Sequence, residues 1–192
     1  RSDSLEDLLS LKLAVRIDQP GQILRDFQTA HSLDQTQVMP LSYRYYRSDA
    51  RYLVGLQGEQ SLLEGLVESL TAPTFPLYLG RRSCPPAEPL VPRLVAGDLS
   101  DLLLDASWIA SQRWQMSRRT TRSLEFRIDE GDYGRSLGTT ERDEARDVPL
   151  SFAPENRQYT WRRILRGWVP IPGQGGSEGT TPLLHDPMQV VM

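Results

Sequence analysis

Between residues 11 and 70 the chain reads strand, polar excursion, strand, helix, an order that restricts its fold more than any single residue. Leu11 to Asp18 alternates apolar and polar residues with the period of a half-buried strand, and Pro20-Gly21 ends it as a turn. From Gln22 to Ser42 the pattern is polar and irregular, with Arg25-Asp26-Phe27-Gln28-Thr29-Ala30 as its most structured piece, which predicts a protruding hairpin or loop between two strands. Tyr43 to Gln57 returns to strand character through Tyr45, Tyr46, Tyr52, Leu53, Val54 and Leu56. Ser61 to Leu70 then places Leu62, Leu63, Leu66, Val67 and Leu70 on one helical face, and Pro73 stops the helix.

This order fits the later part of an α+β, ferredoxin-like βαββαβ unit. The first strand and much of the first helix of such a unit are expected to be missing, because the chain starts abruptly with a short capped helix at Ser4 to Leu9. A sheet edge left open in that way invites pairing. The expected organisation is an incomplete palm over 1–97 with a thumb insertion at about 22–44, a variable insertion over 98–145, closing strands over 146–170 and a tail over 171–192. Within these, Asp98 to Ile109 is expected to be helical and Arg122 to Ile128 a strand. A Gly-rich acidic loop runs on through Asp147, and Val148 to Phe152 and Tyr159 to Val169 close the sheet. The Pro-, Gly-, Ser- and Thr-rich end reads as a tail ordered by a partner.

Directly after the helix comes Tyr78-Leu79-Gly80-Arg81-Arg82-Ser83-Cys84-Pro85-Pro86. An aromatic ring, a permissive Gly and two adjacent guanidinium forks stopped by a Pro pair make a compact surface for phosphates and unstacked bases, or else a plain solvated turn. The formal charge of −3 argues against a generic polyanion binder, but the positive charge is grouped: Arg44, Arg47 and Arg51; Arg81 and Arg82; Arg113 to Arg127; Arg157 to Arg166. Acidic residues collect elsewhere, at Asp3 to Asp7, Asp98 to Asp105 and Asp129 to Asp147.

Other chemistries find little support. The apolar runs are too short for a membrane span and no signal peptide opens the chain, which predicts a cytoplasmic setting. The single cysteine, Cys84, rules out an internal disulfide and a Cys-rich zinc site, and reads as a small buried residue. His31 and His185 lack neighbours at ligand spacing, so neither a metal nor another cofactor is expected. Gly131 to Gly138 lacks the strand-before, helix-after setting of a phosphate-cradling motif. An acid–base pair for RNA cleavage would have to come from His31, Tyr43, Tyr45, Tyr46 and Lys12. Asp98 with Asp101 reads as a helix cap facing solvent, and Trp161 and Trp168 as core packing more than base stacking.

The ordered set Arg25 to Thr29, Tyr43-Arg44-Tyr45-Tyr46 leading into Asp49-Ala50, Tyr78 to Pro85, and Arg146-Asp147-Val148-Pro149 with a Trp-bearing closing strand resembles the CasD subunit family of type I-E CRISPR Cascade, within the RAMP superfamily. The resemblance covers most of residues 5–170. It implies a ferredoxin-like palm with an inserted thumb, and a noncatalytic RNA-binding subunit that grips the 5′ handle of CRISPR RNA in antiviral DNA interference. By the same resemblance Tyr78, Arg81, Arg82 and Ser83 hold the handle, Arg44 is the thumb-side contact, and Arg25, Gln28 and Thr29 lie near it. The implied partners are the CRISPR RNA, a CasC-type backbone subunit and a CasA-type large subunit that senses the PAM, with target DNA nearby. Gln28 stands where relatives often carry His, which weakens any acid–base role. The alternative is the CRISPR-RNA-processing endoribonuclease activity of related type I-C subunits.

Overall fold

A computed structural model describes residues 6–32, 34, 36–80, 82, 84–151, 156–172 and 188–191. After a single 3-10 turn at Glu6–Ser10, the elements are β1 (Lys12–Gln19), β2 (Gln22–Gln28), β3 (Ser42–Ser48), β4 (Arg51–Gln57), α1 (Gln60–Thr71), β5 (Arg93–Ala96), α2 (Leu99–Asp105), α3 (Gln112–Ser117), β6 (Ser123–Asp129), β7 (Thr140–Ser151), β8 (Gln158–Pro170) and β9 (Met188–Val191). Seven strands form one antiparallel sheet in the order β5-β9-β4-β1-β6-β8-β7, and β2 and β3 stand apart as a two-stranded ribbon. The architecture is mixed α+β.

Caps and turn residues set the element ends. Glu59 accepts hydrogen bonds from the Ser61 and Leu62 amides to start α1, whose cap at Ala72 precedes Pro73. Asp98 and Asp101 form a capping box on α2, the role their spacing predicts. Helix α2 is shorter than the expected 98–109 helix: it ends at Asp105 because Leu103, Ala106 and Ser107 give their carbonyls to the Arg16 side chain.

The core lies between the sheet and α2, where Leu99, Leu102 and Leu103 pack with Ala14, Leu53, Leu124, Phe126 and Val169. Facing this layer, β1 presents Ala14, Arg16 and Asp18, all fully or almost fully buried, whereas its apolar Leu13, Val15 and Ile17 are half-buried on the opposite face. The alternation in β1 is thus inverted relative to a simple half-buried strand. A guanidinium can occupy the core side because Arg16 Nε and Nη2 donate to both Asp18 oxygens at 2.7 and 2.9 Å and the remaining donors reach three backbone carbonyls. Asp18 in turn accepts from the Ile109 amide at 2.8 Å, so every charge is met.

Three further expectations meet a different outcome. The acidic run to Asp147 forms most of β7, because its Arg, Asp and Glu residues pair in register with the Arg-rich β8. Trp161 and Trp168 are 59% and 49% exposed, so they belong to the surface of β8 and not to the core. Cys84 is only half-buried. At the C-terminal end, 173–187 and 192 lie outside the described residues, but Met188–Val191 pairs with both β4 and β5 and fills the sheet between them.

Candidate nucleic-acid interface

The ribbon leaves the sheet through two residues in the left-handed region, Gly21 (φ 68°) and Asp49 (φ 54°). A side chain at Gly21 would put a Cβ 2.4 Å from the Ser48 carbonyl oxygen, so only glycine fits the close approach of the two strands. Buried Gln19 anchors this root: its amide donates to the Asp49 carbonyl at 2.7 Å and its oxygen accepts from the Ser111 amide and hydroxyl at the start of α3.

Beyond the root, the register of β2 on β3 sorts the ribbon into two faces. One carries the cross-strand pairs Ile23 with Arg47, Arg25 with Tyr45 and Phe27 with Tyr43. All six side chains are exposed, and the Arg25 guanidinium lies 5.2 Å from the centre of the Tyr43 ring. The other face carries Leu24 with Tyr46, Asp26 with Arg44 and Gln28 with Ser42. Against Tyr46 comes the Tyr78 segment, closed by a 2.8 Å bond from the Leu79 amide to the Cys84 carbonyl; Gly80 has φ 84°, and a Cβ there would touch the Tyr46 ring at 3.4 Å.

The predicted contact residues therefore fall on two sides of one ribbon. Arg44 and Gln28 share the face that meets the Tyr78 segment, while Arg25 lies on the opposite face. Thr29 follows β2 and is exposed, Tyr78 is 50% exposed, and Arg82 is an exposed turn residue. Arg81 and Ser83 lie outside the described residues. Sequence reasoning missed Phe27, Tyr45 and Arg47 as partners of Arg25; the signal was the i, i+2 spacing of Tyr43, Tyr45 and Arg47 once a strand is assumed. At the ribbon tip the Ser32 hydroxyl and the Thr36 amide and hydroxyl bond Asp34 and hold its carboxyl down to about 2, which fixes a negative charge there. His31, a candidate acid–base residue, is exposed beside that tip in a bridge with Val38.

Between the ribbon root and the sheet lies a cleft of about 510 Å³. Its floor is the inverted face of β1, with Leu13, Val15 and Ile17, together with Tyr52 of β4. Its walls are Arg47, Arg127, Arg162 and Arg166, with Glu125 and Asp147 among them. Arg162 is held by both Asp147 oxygens, at 2.7 and 2.8 Å, and by Asp129, and Arg166 by Glu125 at 2.8 Å. The bond to the Arg162 guanidinium holds the Asp147 carboxyl below the usual carboxylate range, outweighing partial burial. Arg127 is 51% exposed and lies 3.7 Å from Glu125, and Arg47 bonds the Pro20 carbonyl through one nitrogen only, so these two guanidinium groups keep donors facing the cleft.

A family model described as CRISPR-associated protein (Cas_Cas5) matches residues 1–165, through the ribbon, the Tyr78 segment and the strands that wall the cleft. The chain belongs to the Cas5 family of CRISPR-associated proteins. Among solved structures, 7 chains match. One of them, from a structure described as a CRISPR RNA-guided surveillance complex, is 24% identical with a TM-score of 0.66, over 90% of this chain and 73% of that one. At that identity the likeness shows the fold, and it supports the mixed α+β architecture. No curated protein matches the sequence. Among the described residues of this Cas5-family chain, no group of three or more His, Cys, Asp and Glu side chains is placed to hold a metal ion, and no helix is long and apolar enough to cross a membrane.

Proposed function

We propose that this chain is a noncatalytic RNA-binding subunit of a CRISPR effector complex of the Cascade kind, in which it grips the 5′ handle of the CRISPR RNA. The observation that carries this reading is the exposed face of the ribbon, where Arg25, Tyr45, Tyr43, Phe27 and Arg47 interleave cations with aromatic rings. Guanidinium forks bond phosphate oxygens and rings stack unpaired bases, so alternation of the two along an extended strand suits single-stranded RNA. Membership of the Cas5 family makes CRISPR RNA the natural strand.

On this reading the ribbon, inserted between β1 and β4, is the thumb, and the sheet with α1 and α2 is the palm. Tyr78, Arg81, Arg82 and Ser83, with Arg44, Gln28 and Thr29, grip the RNA on the side of the Tyr78 segment, and Arg25 grips it on the other side. The strand wraps the ribbon instead of lying on one face, which suits a hook of RNA at the end of a complex. The bound handle also fixes the neighbouring subunits, a CasC-type backbone subunit and a CasA-type large subunit. Fluorescence-anisotropy titration of repeat RNA into the full chain tests the reading. Arg25→Ala and Arg82→Ala should each weaken binding and reduce its salt dependence, with the RNA recovered uncut. Metal-independent cleavage within the repeat would sink the noncatalytic assignment.

A further inference from the structure

We propose that the cleft between the ribbon root and the open face of the sheet seats one unstacked nucleotide of the bound RNA, with its base on Tyr52 and the β1 side chains and its phosphate on Arg127 and Arg47. This rests on the RNA-binding reading and adds to it a second recognition element, on the palm and separate from the Tyr78 segment.

The first support is the inversion of β1. Leu13, Val15 and Ile17 are left half-buried on the open face, opposite Leu56, Val54 and Tyr52 of β4, while a charged pair takes the core side. That gives a flat apolar floor with an aromatic ring at its edge, which is what the face of a base requires. A second support is the division of labour among the arginines. Arg162 is held through three nitrogens by Asp147 and Asp129 and braces the wall, and Arg166 is tied to Glu125 through Nε, whereas Arg127, paired in register with Val15 at the floor, and Arg47 above it keep donors to offer. The volume, about 510 Å³, lies within the ~300–1,000 Å³ usual for sites that enclose a small ligand. Continuity is the third support: Arg47 lines the cleft and also ends the row Tyr43, Tyr45, Arg47 on the exposed ribbon face, so a strand running down the ribbon is delivered to the cleft.

A partner's peptide side chain would use the same floor but would not make binding of RNA depend on it. The test therefore uses the full chain with repeat RNA in which uridines are replaced by 4-thiouridine, and binding titrations of cleft variants. Photocrosslinks should map to the peptides of β1, β4 or β6. Tyr52→Ala should lose about 5- to 150-fold in affinity, the range of one base–aromatic stack, while Tyr52→Phe keeps it. Arg127→Gln, at an exposed side chain whose loss leaves the core intact, should lower the salt slope by about one. If Arg25→Ala and Arg82→Ala weaken binding but Tyr52→Ala and Arg127→Gln do not, the cleft proposal is overturned and the RNA-binding reading stands. If the unmodified chain binds no repeat RNA, both fall.

Discussion

Arg16 and Asp18 show how a single pair decides the orientation of a strand. Both are fully or almost fully buried, and together they hold the chain from Leu103 to Ile109 against β1 through four backbone groups. Removing one partner leaves the other charged in the core, so Asp18→Ala should cost about 3–5 kcal/mol in urea denaturation. The double replacement Arg16→Met with Asp18→Leu should recover part of that loss, since no buried charge remains, although the Ile109 amide then loses its acceptor and the Leu103, Ala106 and Ser107 carbonyls lose their Arg16 donors. Gly55 is a second such position. A Cβ there would sit 2.2 Å from Leu102 Cδ2 and 2.9 Å from Leu99 Cδ2, so Gly55→Ala forces α2 outward or off its rotamers and should cost roughly 1–3 kcal/mol by the same measurement. Neither cost was legible in the sequence, where Arg16 and Asp18 look like the polar phase of an ordinary alternation.

Among the elements, the ribbon is placed by a small root. Its root depends on Gly21, Asp49 and the buried Gln19, and the register of β2 on β3 carries the rest. Gly21→Ala meets both a left-handed φ and a backbone oxygen, so the ribbon must tilt or its first pairs must open. Hydrogen exchange should then speed up across β2 and β3 while the β1 and β4 amides keep their protection, and affinity for repeat RNA should fall. The sequence did show that something protrudes between two strands, because Pro20-Gly21 and the polar run after it break the pattern. It read Tyr43 to Gln57 as one continuous strand, and the turn at Asp49, a non-glycine residue at positive φ, carries no apolar or proline signal. Strand β7 escaped notice for a similar reason: Glu141 to Asp147 is so charged that only its pairing with Arg162, Arg163 and Arg166 makes it a strand, and that pairing is long-range. Trp168 is exposed because it pairs with Glu125 on the face turned away from the core, between the core-side positions Gly167 and Val169, whereas Trp161 lies on β8 beyond the core residues Leu165 and Val169. Of the candidate site, Arg25, Arg44 and Tyr78 were legible as residue types, but the division between two ribbon faces needed the register.

The molecule as a whole is stabilised by carboxylates whose environment favours the charged form. Burial raises the pKa of Asp98, but hydrogen bonds from Ser100 and from the Gly134, Asp101 and Ser100 amides outweigh it and bring it below the usual value; the Arg162 bond does the same for Asp147. With folded values below unfolded ones, the unfolded chain binds more protons as the medium turns acid, so this stability is present above about pH 4 and is lost as pH falls through the folded values. The urea midpoint should be flat near neutrality and drop below pH 4, and Asp98→Asn should make the drop shallower. A second whole-molecule property is the closure of the sheet by its last strand. Among the described residues, strand β5 is paired to the sheet through β9, which pairs Leu94 on one side and Leu56 on the other through Val190. Because β9 is antiparallel to both neighbours, β4 and β5 run parallel to each other, and closing the gap without β9 would require re-registering β5 beside β4 in the slanted parallel pattern. Deleting 188–192 should therefore leave the β4 edge open and free β5, with faster exchange at Gly55 to Gln57 and at Arg93 to Ala96. An open edge beside an apolar sheet face recruits other strands, so light scattering should report self-association of the truncated chain at concentrations where the full chain stays dispersed. If exchange at both segments stayed slow and scattering did not change, the strand between β4 and β5 would be dispensable to the sheet.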